Sequence, residues 1–298
     1  MAPSVLLIGA SGSLGVPLVE EFIRQKSKFE RIAILADPSR AKKFEDVQKR
    51  GIDVVTGSFL DPNSYKGFSV VISLAGNPIM RLQPAMIEAA VAAGVRHFYP
   101  SEFGVDVGHD DLVDFRYLRD KRVTRDHLVA KAKEVPGFRY TLLMNGIFAE
   151  WSAIPPLGVD TDKHTSTVYG TPDAILSLTA VPDIVRYIVE SVLLPFENDE
   201  AERQLRVIGQ NVSHAELLDI LEEIQGSKYD RTYLPLAEAA EKQDESRKKG
   251  DEASVLYWSL RQLQGSGNGR VPGPWDNDKF SFKPESARET IQRIYGKN

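Results

Sequence analysis

The stretch IGASGSLG, residues 8–15, lies between an apolar run, SVLLI, and an amphipathic segment, VPLVEEFI. Gly9, Gly12 and Gly15 thus fall where a predicted strand hands over to a predicted helix, the context that gives a G-x-x-G-x-x-G spacing its meaning. Without Cβ atoms the chain can turn sharply there and admit a pyrophosphate to its main-chain N–H groups, at the positive end of the following helix. Ser11 and Ser13 add hydroxyl donors, and Leu14 completes the loop. A glycine turn that serves only close strand-to-helix packing is the alternative. The pattern lacks a terminal Gly-Lys-Ser/Thr, which argues against a P-loop.

Outward from that loop, short runs rich in β-branched residues alternate with longer amphipathic segments. The pattern predicts strands at 4–8, 31–35, 53–56, 70–74, 97–99 and 140–144, with helices between them. Leu18, Phe22 and Ile23 form one apolar stripe, and Met86, Ile87, Ala90 and Val91 another. This βαβ rhythm predicts an α/β fold, a Rossmann-type doubly wound parallel sheet. It assigns residues 1–150 to an NAD(P)-binding domain and 151–298 to a smaller α/β substrate-binding region able to return strands or helices to the first. After Trp151 the sequence AIPPLGVDTDKHTSTVYGTP reads as an irregular excursion. Helical periodicity returns at VPDIVRYIVESVLLPF and at SHAELLDILEEIQ, where Ser213 and Glu216 make a capping box.

The totals bound the function. A chain of 298 residues with 42% hydrophobic side chains can bury a substantial core. A formal charge of -5 and a pI near 5.7 give no general attraction to nucleic acid or acidic membranes, so a small molecule is the expected partner. The absence of cysteine excludes disulfides, a thiol nucleophile and thiolate metal sites. His109, His127, His164 and His214 do not fall at metal-ligand spacing, and no metal is expected; His97 lies in a predicted strand and reads as structural. No signal peptide or membrane span is legible at the start, and a cytoplasmic setting is expected.

The end of the second strand, ILADPSR, would lie beside the adenosine ribose. Asp37 there favours NAD by accepting from a free 2′-hydroxyl, whereas Arg40, with Ser39 and Lys43, favours NADP by holding a 2′-phosphate.

From Gln83 the run QPAMIEAAVAAGVRHFYPSEFGVDV resembles the isoflavone reductase-like and NmrA-like group of atypical short-chain dehydrogenase/reductases, in which a helix, a short strand and a PSEFG turn follow in that order. The resemblance continues through DKRVTRDHLVAKAKEVPGFRYTLLMNGIFAEW, residues 120–151, and covers most of the chain. It implies that Lys121 contacts the nicotinamide ribose and eases proton movement during hydride transfer, with NADP as the cofactor and NAD as the alternative. It also implies cofactor contacts at Ser58, Phe59, Ala75, Gly76 and Asn145, beyond the ends of the third, fourth and sixth strands. The chain departs from the family where Ala36 and Asp37 replace the arginine that commonly ends the second strand. The stretch FLDPNSYKGFSVVIS, before and within the fourth strand, is also shorter than the family pattern.

Tyr117 precedes Lys121 by four residues, so the two share a helix face and form the Tyr-x-x-x-Lys pair of ordinary short-chain dehydrogenases, with Ser101 at the preceding strand end as the third member. Phe103, Phe148 and Trp151 follow predicted strand ends and suit a flat aromatic or apolar substrate; packing is their alternative role. Three functions stay open: an NAD(P)H-dependent reductase of an aromatic or natural-product-like molecule, an NmrA-type redox sensor without turnover, and a cofactor-binding enzyme of non-redox rearrangement. Retention of Lys121 argues against the pure sensor.

Overall fold

The computed structural model describes residues 2–108, 116–197 and 199–296, apart from the side chains of Arg116 and Tyr117. Along the chain come β1 (Ser4–Ile8), α1 (Gly15–Arg24), β2 (Arg31–Ala36), α2 (Glu45–Lys49), β3 (Asp53–Thr56), β4 (Val70–Ser73), α3 (Asn77–Met80), α4 (Gln83–Ala92), β5 (His97–Tyr99), α5 (Arg116–Glu134) and β6 (Arg139–Met144). There follow β7 (Ile147–Phe148), β8 (Val159–Asp160), β9 (Thr165–Tyr169), β10 (Ile175–Thr179), α6 (Val181–Leu193), β11 (Glu202–Arg206), β12 (Gln210–Ser213), α7 (His214–Gln225), β13 (Asp230–Leu234), α8 (Leu236–Lys248), α9 (Glu252–Gly265) and α10 (Ala287–Tyr295).

Seven strands form one sheet in the order β11-β6-β5-β4-β1-β2-β3. The pairs from β3 through to β6 are parallel, and β11 runs the same way, since Tyr140 N–H bonds the Ala201 carbonyl and Val207 N–H bonds that of Met144. Every residue of β1 and β4 is buried, as expected of central parallel strands covered on both faces, and this is why they read as continuous apolar runs. The edge strand β3 is half exposed and alternates less cleanly. On α1, Leu18 and Phe22 are fully buried, and Pro17 sits in the first turn, where its missing N–H has no intrahelical partner to lose.

The chain forms two compact units whose boundaries fall inside α5, β6, α6 and β11. The first comprises residues Met1–Glu102, Arg119–Leu143 and Val185–Leu205; the second comprises Phe103–Leu118, Met144–Ile184 and Arg206–Asn298. In the second unit, β12-β10-β7 and β13-β9-β8 make two small sheets. Leu176, Leu178 and Val212 of the former pack with Leu217, Leu218 and Leu221 of α7 and with Ala287 and Ile291 of α10. The predicted capping box is formed: Ser213 Oγ accepts from Glu216 N–H at 3.1 Å, and the Glu216 carboxylate accepts from Ser213 N–H at 2.7 Å. The segment after Gly265 is tied to residues 206–208, with Asn277 bonded both ways to the Ile208 backbone.

Candidate active site

The strand order reverses between β1 and β4, and in open α/β sheets ligands bind beyond the carboxyl ends of the strands at such a switch point. The glycine loop leaves β1 there. Its three glycines have different reasons to be glycine. Gly9 has φ +82, and a Cβ on it would lie 2.6 Å from the Leu74 carbonyl oxygen. A Cβ on Gly15 would collide with the Gly9 carbonyl and lie 2.7 Å from Ala10 Cα. Gly12 is unlike both: a Cβ there meets only the Gly9 carbonyl oxygen, at 3.3 Å, and otherwise opens into free space. The fold therefore explains Gly9 and Gly15, and Gly12 leaves a cradle that a methyl would fill.

No side chain caps α1; in its first turn Val16 N–H donates to the Gly12 carbonyl and Leu18 N–H to that of Leu14, and Pro17 has none, which leaves Gly15 N–H to donate outward. Ser73, which ends β4, has a buried hydroxyl with no hydrogen-bond partner among the described residues. An open glycine cradle, an uncapped helix start and an orphaned hydroxyl beside the switch point fit a dinucleotide pyrophosphate. Ser58, Phe59, Ala75 and Gly76 follow β3 and β4 as the resemblance implies; Ser58 Oγ accepts from Leu60 N–H, and the Phe59 carbonyl accepts from Tyr65 Oη.

At the end of β2, Asp37 is engaged locally. Its carboxylate accepts from Ser39 N–H at 2.9 Å and Ser39 Oγ at 2.5 Å, capping the turn that follows, and these bonds hold its carboxyl below the usual range. Arg40 is exposed on the same turn.

The PSEFG turn follows β5. Ser101 N–H donates to Gln83 Oε1 at 2.8 Å, which ties the turn to the start of α4. Glu102 is buried, and its carboxylate takes a two-pronged bond from Arg125 of α5, Nε at 3.0 Å and a terminal nitrogen at 2.8 Å. Lys121 is also buried and donates through Nζ to the Glu102 main-chain carbonyl. Burial, above all, holds the Lys121 ammonium below the usual lysine range; the Glu102 carboxylate opposes this and the Arg125 charge adds to it. Lys121 and the residue after Ser101 are thus brought together, while no described bond joins Ser101 Oγ to Lys121. Tyr117 lies on α5 one turn before Lys121, but its side chain is outside the described residues, as is His109.

Within the turn itself, Phe103 adopts φ +20, uncommon for a bulky residue, and is buried. In the second unit, the Gly104 carbonyl accepts from the N–H groups of Asn145 and Gly146, both at 2.9 Å. Asn145 is fully buried; its Nδ2 reaches the Gly146 carbonyl at 3.1 Å, and its Oδ1 has no partner among the described residues. Phe148 and Trp151 stack at 4.7 Å between centroids, Phe148 buried and Trp151 42% exposed.

Sequence reasoning passed over Gln83 and the carboxylate of Glu102. The available signal was Lys121 and Arg125 at i,i+4 on a helix following an acidic turn. No helix among the described residues is long and apolar enough to cross a membrane.

Among proteins of known name, an isoflavone reductase homologue from Zea mays is 30% identical over 249 residues, spanning 78% of this chain and 77% of its own length. Among solved structures, an isoflavone reductase superposes with a TM-score of 0.81 at 19% identity, covering 99% of this chain and 100% of that one. A structure of AtPrR2 with NADP+ and (+)-pinoresinol gives 0.78 at 19% identity, covering 99% of each chain. Both solved structures share the fold of this chain. The NmrA-like family profile matches residues 1–249, and with so much of the chain accounted for, this protein belongs to the NmrA-like family.

Proposed function

We propose that the protein is an NADPH-dependent reductase of an aromatic, phenylpropanoid-like small molecule, with Lys121 serving the proton transfer. The observation that carries this reading is the buried ammonium of Lys121, held against the turn beyond β5 and made less basic by its surroundings. A bound dinucleotide would supply the hydride. Lys121 would hold the nicotinamide ribose and supply the proton, its lowered basicity reducing the cost of that step. Gly12 and the start of α1 would bind the pyrophosphate, with Ser11 and Ser13 as further donors.

NADP is favoured over NAD because Asp37, whose charge would repel a 2′-phosphate, is occupied in capping its own turn, and Arg40 stands three residues on. Phe103, Phe148 and Trp151 supply apolar and aromatic surface for the substrate, and Asn145 Oδ1 offers an acceptor with no partner among the described residues. Ser101, just beyond β5, and Tyr117, one turn before Lys121 on α5, stand as auxiliary donors.

The test is twofold. NADPH fluorescence should shift on titration with the protein, and a panel of phenylpropanoid and enone substrates should include one that drives nicotinamide consumption. Lys121→Ala should abolish that consumption while NADPH binding stays measurable. Full turnover in the variant would remove Lys121 from the mechanism.

A further inference from the structure

Lys121 and Arg125 stand one turn apart on α5 and leave the same face of the helix. Both end on one residue, Glu102, but on different parts of it. Lys121 takes the main-chain carbonyl; Arg125 takes both carboxylate oxygens, at 3.0 and 2.8 Å. Glu102 is 1% exposed and the Arg125 side chain 14% exposed, so water screens this trio poorly. A buried carboxylate without a partner draws in the nearest cation, and here the Lys121 ammonium is already on the same residue. The planar guanidinium fork matches a carboxylate in a way that a single ammonium cannot, which gives Arg125 the better claim.

We infer that Arg125 is a positioning residue for the reduction: by occupying the Glu102 carboxylate it keeps that group from capturing Lys121, whose ammonium stays on the Glu102 carbonyl. This rests on the role proposed for Lys121. Gln83 holds the other side of the same turn through Ser101 N–H, so the carbonyl that receives Lys121 is fixed from two helices.

Glu102, from the turn, and Arg125, from the same helix, both act on Lys121. They act in opposite directions, and this gives a signed test. Arg125→Gln leaves the carboxylate to Lys121 and should raise the pH at which Lys121 loses its proton by about one unit. Glu102→Gln leaves the guanidinium beside Lys121 and should lower it by a similar amount, about one unit. The double variant Glu102→Gln/Arg125→Gln removes both charges, keeps hydrogen-bonding amides in their place, and should return close to the parent value.

Two readouts are needed. One is the alkaline limb of the kcat/KM profile in the NADPH-bound enzyme. The other is the pH titration of the Lys121 Cε signal by NMR in 13C-lysine-labelled protein, assigned with Lys121→Ala, which requires no turnover. Arg125→Lys, which keeps the charge without the fork, should restore only part of the activity lost in Arg125→Gln. The opposed shifts with recovery in the double variant support the inference. Shifts of one sign in both single variants, or a resolved Lys121 signal unmoved by either, overturn it. Unchanged turnover in Lys121→Ala would instead fell the proposed reaction, and the NMR order would still report whether Arg125 holds Glu102 away from Lys121.

Discussion

Replacing Gly12 by alanine separates the ligand-binding reading of the glycine loop from a purely structural one. A Cβ at Gly12 meets a single atom, the Gly9 carbonyl oxygen at 3.3 Å, so the loop must yield by only a few tenths of an ångström. Against that small strain stands the lower chain entropy of alanine in the unfolded state, which stabilises by about 0.4–1 kcal/mol where the backbone is compatible. The net change in stability should therefore stay within ~1 kcal/mol. Binding should respond differently, because the added methyl occupies the space through which a pyrophosphate would approach the main chain. Losing one charge-assisted bond there costs about 1.5–3 kcal/mol, or roughly 10- to 150-fold in the Kd for NADPH. Gly15→Ala is the control: its methyl has no room beside Gly9 and Ala10, so the apoprotein itself should lose about 1–3 kcal/mol. Thermal unfolding without cofactor and fluorescence titration with NADPH read the two effects. NADPH affinity unchanged in a stable Gly12→Ala protein would show that no pyrophosphate rests in the cradle. A loss of stability equal to that of Gly15→Ala would make Gly12 one more packing glycine.

Arg40→Ala should weaken NADPH by about tenfold through loss of a charge-assisted contact while leaving NADH nearly unaffected, and equal losses for both in parallel titrations would remove Arg40 from the 2′-phosphate site. Arg125→Met should destabilise the protein in denaturant unfolding by less than the about 3–5 kcal/mol of a stranded buried carboxylate, because the Lys121 ammonium on the same residue takes up part of the charge, and Glu102→Leu/Arg125→Met should recover most of that loss. His214 is buried and its pKa is lowered from 6.5 to about 4, chiefly by burial, so the folded state resists a proton that the unfolded chain accepts. Its contribution to stability is then complete above pH 6.5 and lost as pH falls toward 4, by ~3 kcal/mol in total; His214→Phe should flatten stability over that window, and an unaltered pH slope would contradict the assignment. Glu222, lowered to about 2 by bonds from Lys228, Tyr229 and Arg231, withdraws its contribution in a different window, between pH 4.5 and 2, so Glu222→Gln should leave the His214 window intact.

The large sheet was legible because its strands are buried on both faces. SVLLI and VVIS contain nothing but residues that fit a covered strand, and the predicted bounds of β1, β3 and β5 coincide with those observed. The second unit was much less legible. Its strands are two to five residues long, and TSTVY and QNVS carry no clear alternation. Their pairing is also remote: Thr165 of β9 lies opposite Asp230 of β13, so neither strand announces its partner locally. Helix α7 was readable all the same, since a capping box satisfies its terminal N–H groups with residues three apart. The site divides in the same way. Lys121 was legible through the family resemblance, but the bond between Arg125 and Glu102 spans 23 residues and depends on where α5 lies against the turn beyond β5.

That bond also bears on why the site is built from charge at all. A buried ion pair adds little to stability in general, since desolvating both groups offsets most of their attraction, and an apolar pair of similar volume is often as good or better. Lys121 makes the case stronger, because burial lowers its basicity and so works against holding it charged in the folded state. Folding alone gives no reason to place two cations and one carboxylate together at the end of β5. The proposed reaction would: a proton donor must be charged in the resting state and reluctant to stay so, which is the condition produced by a desolvated ammonium whose neighbouring carboxylate is occupied by another group.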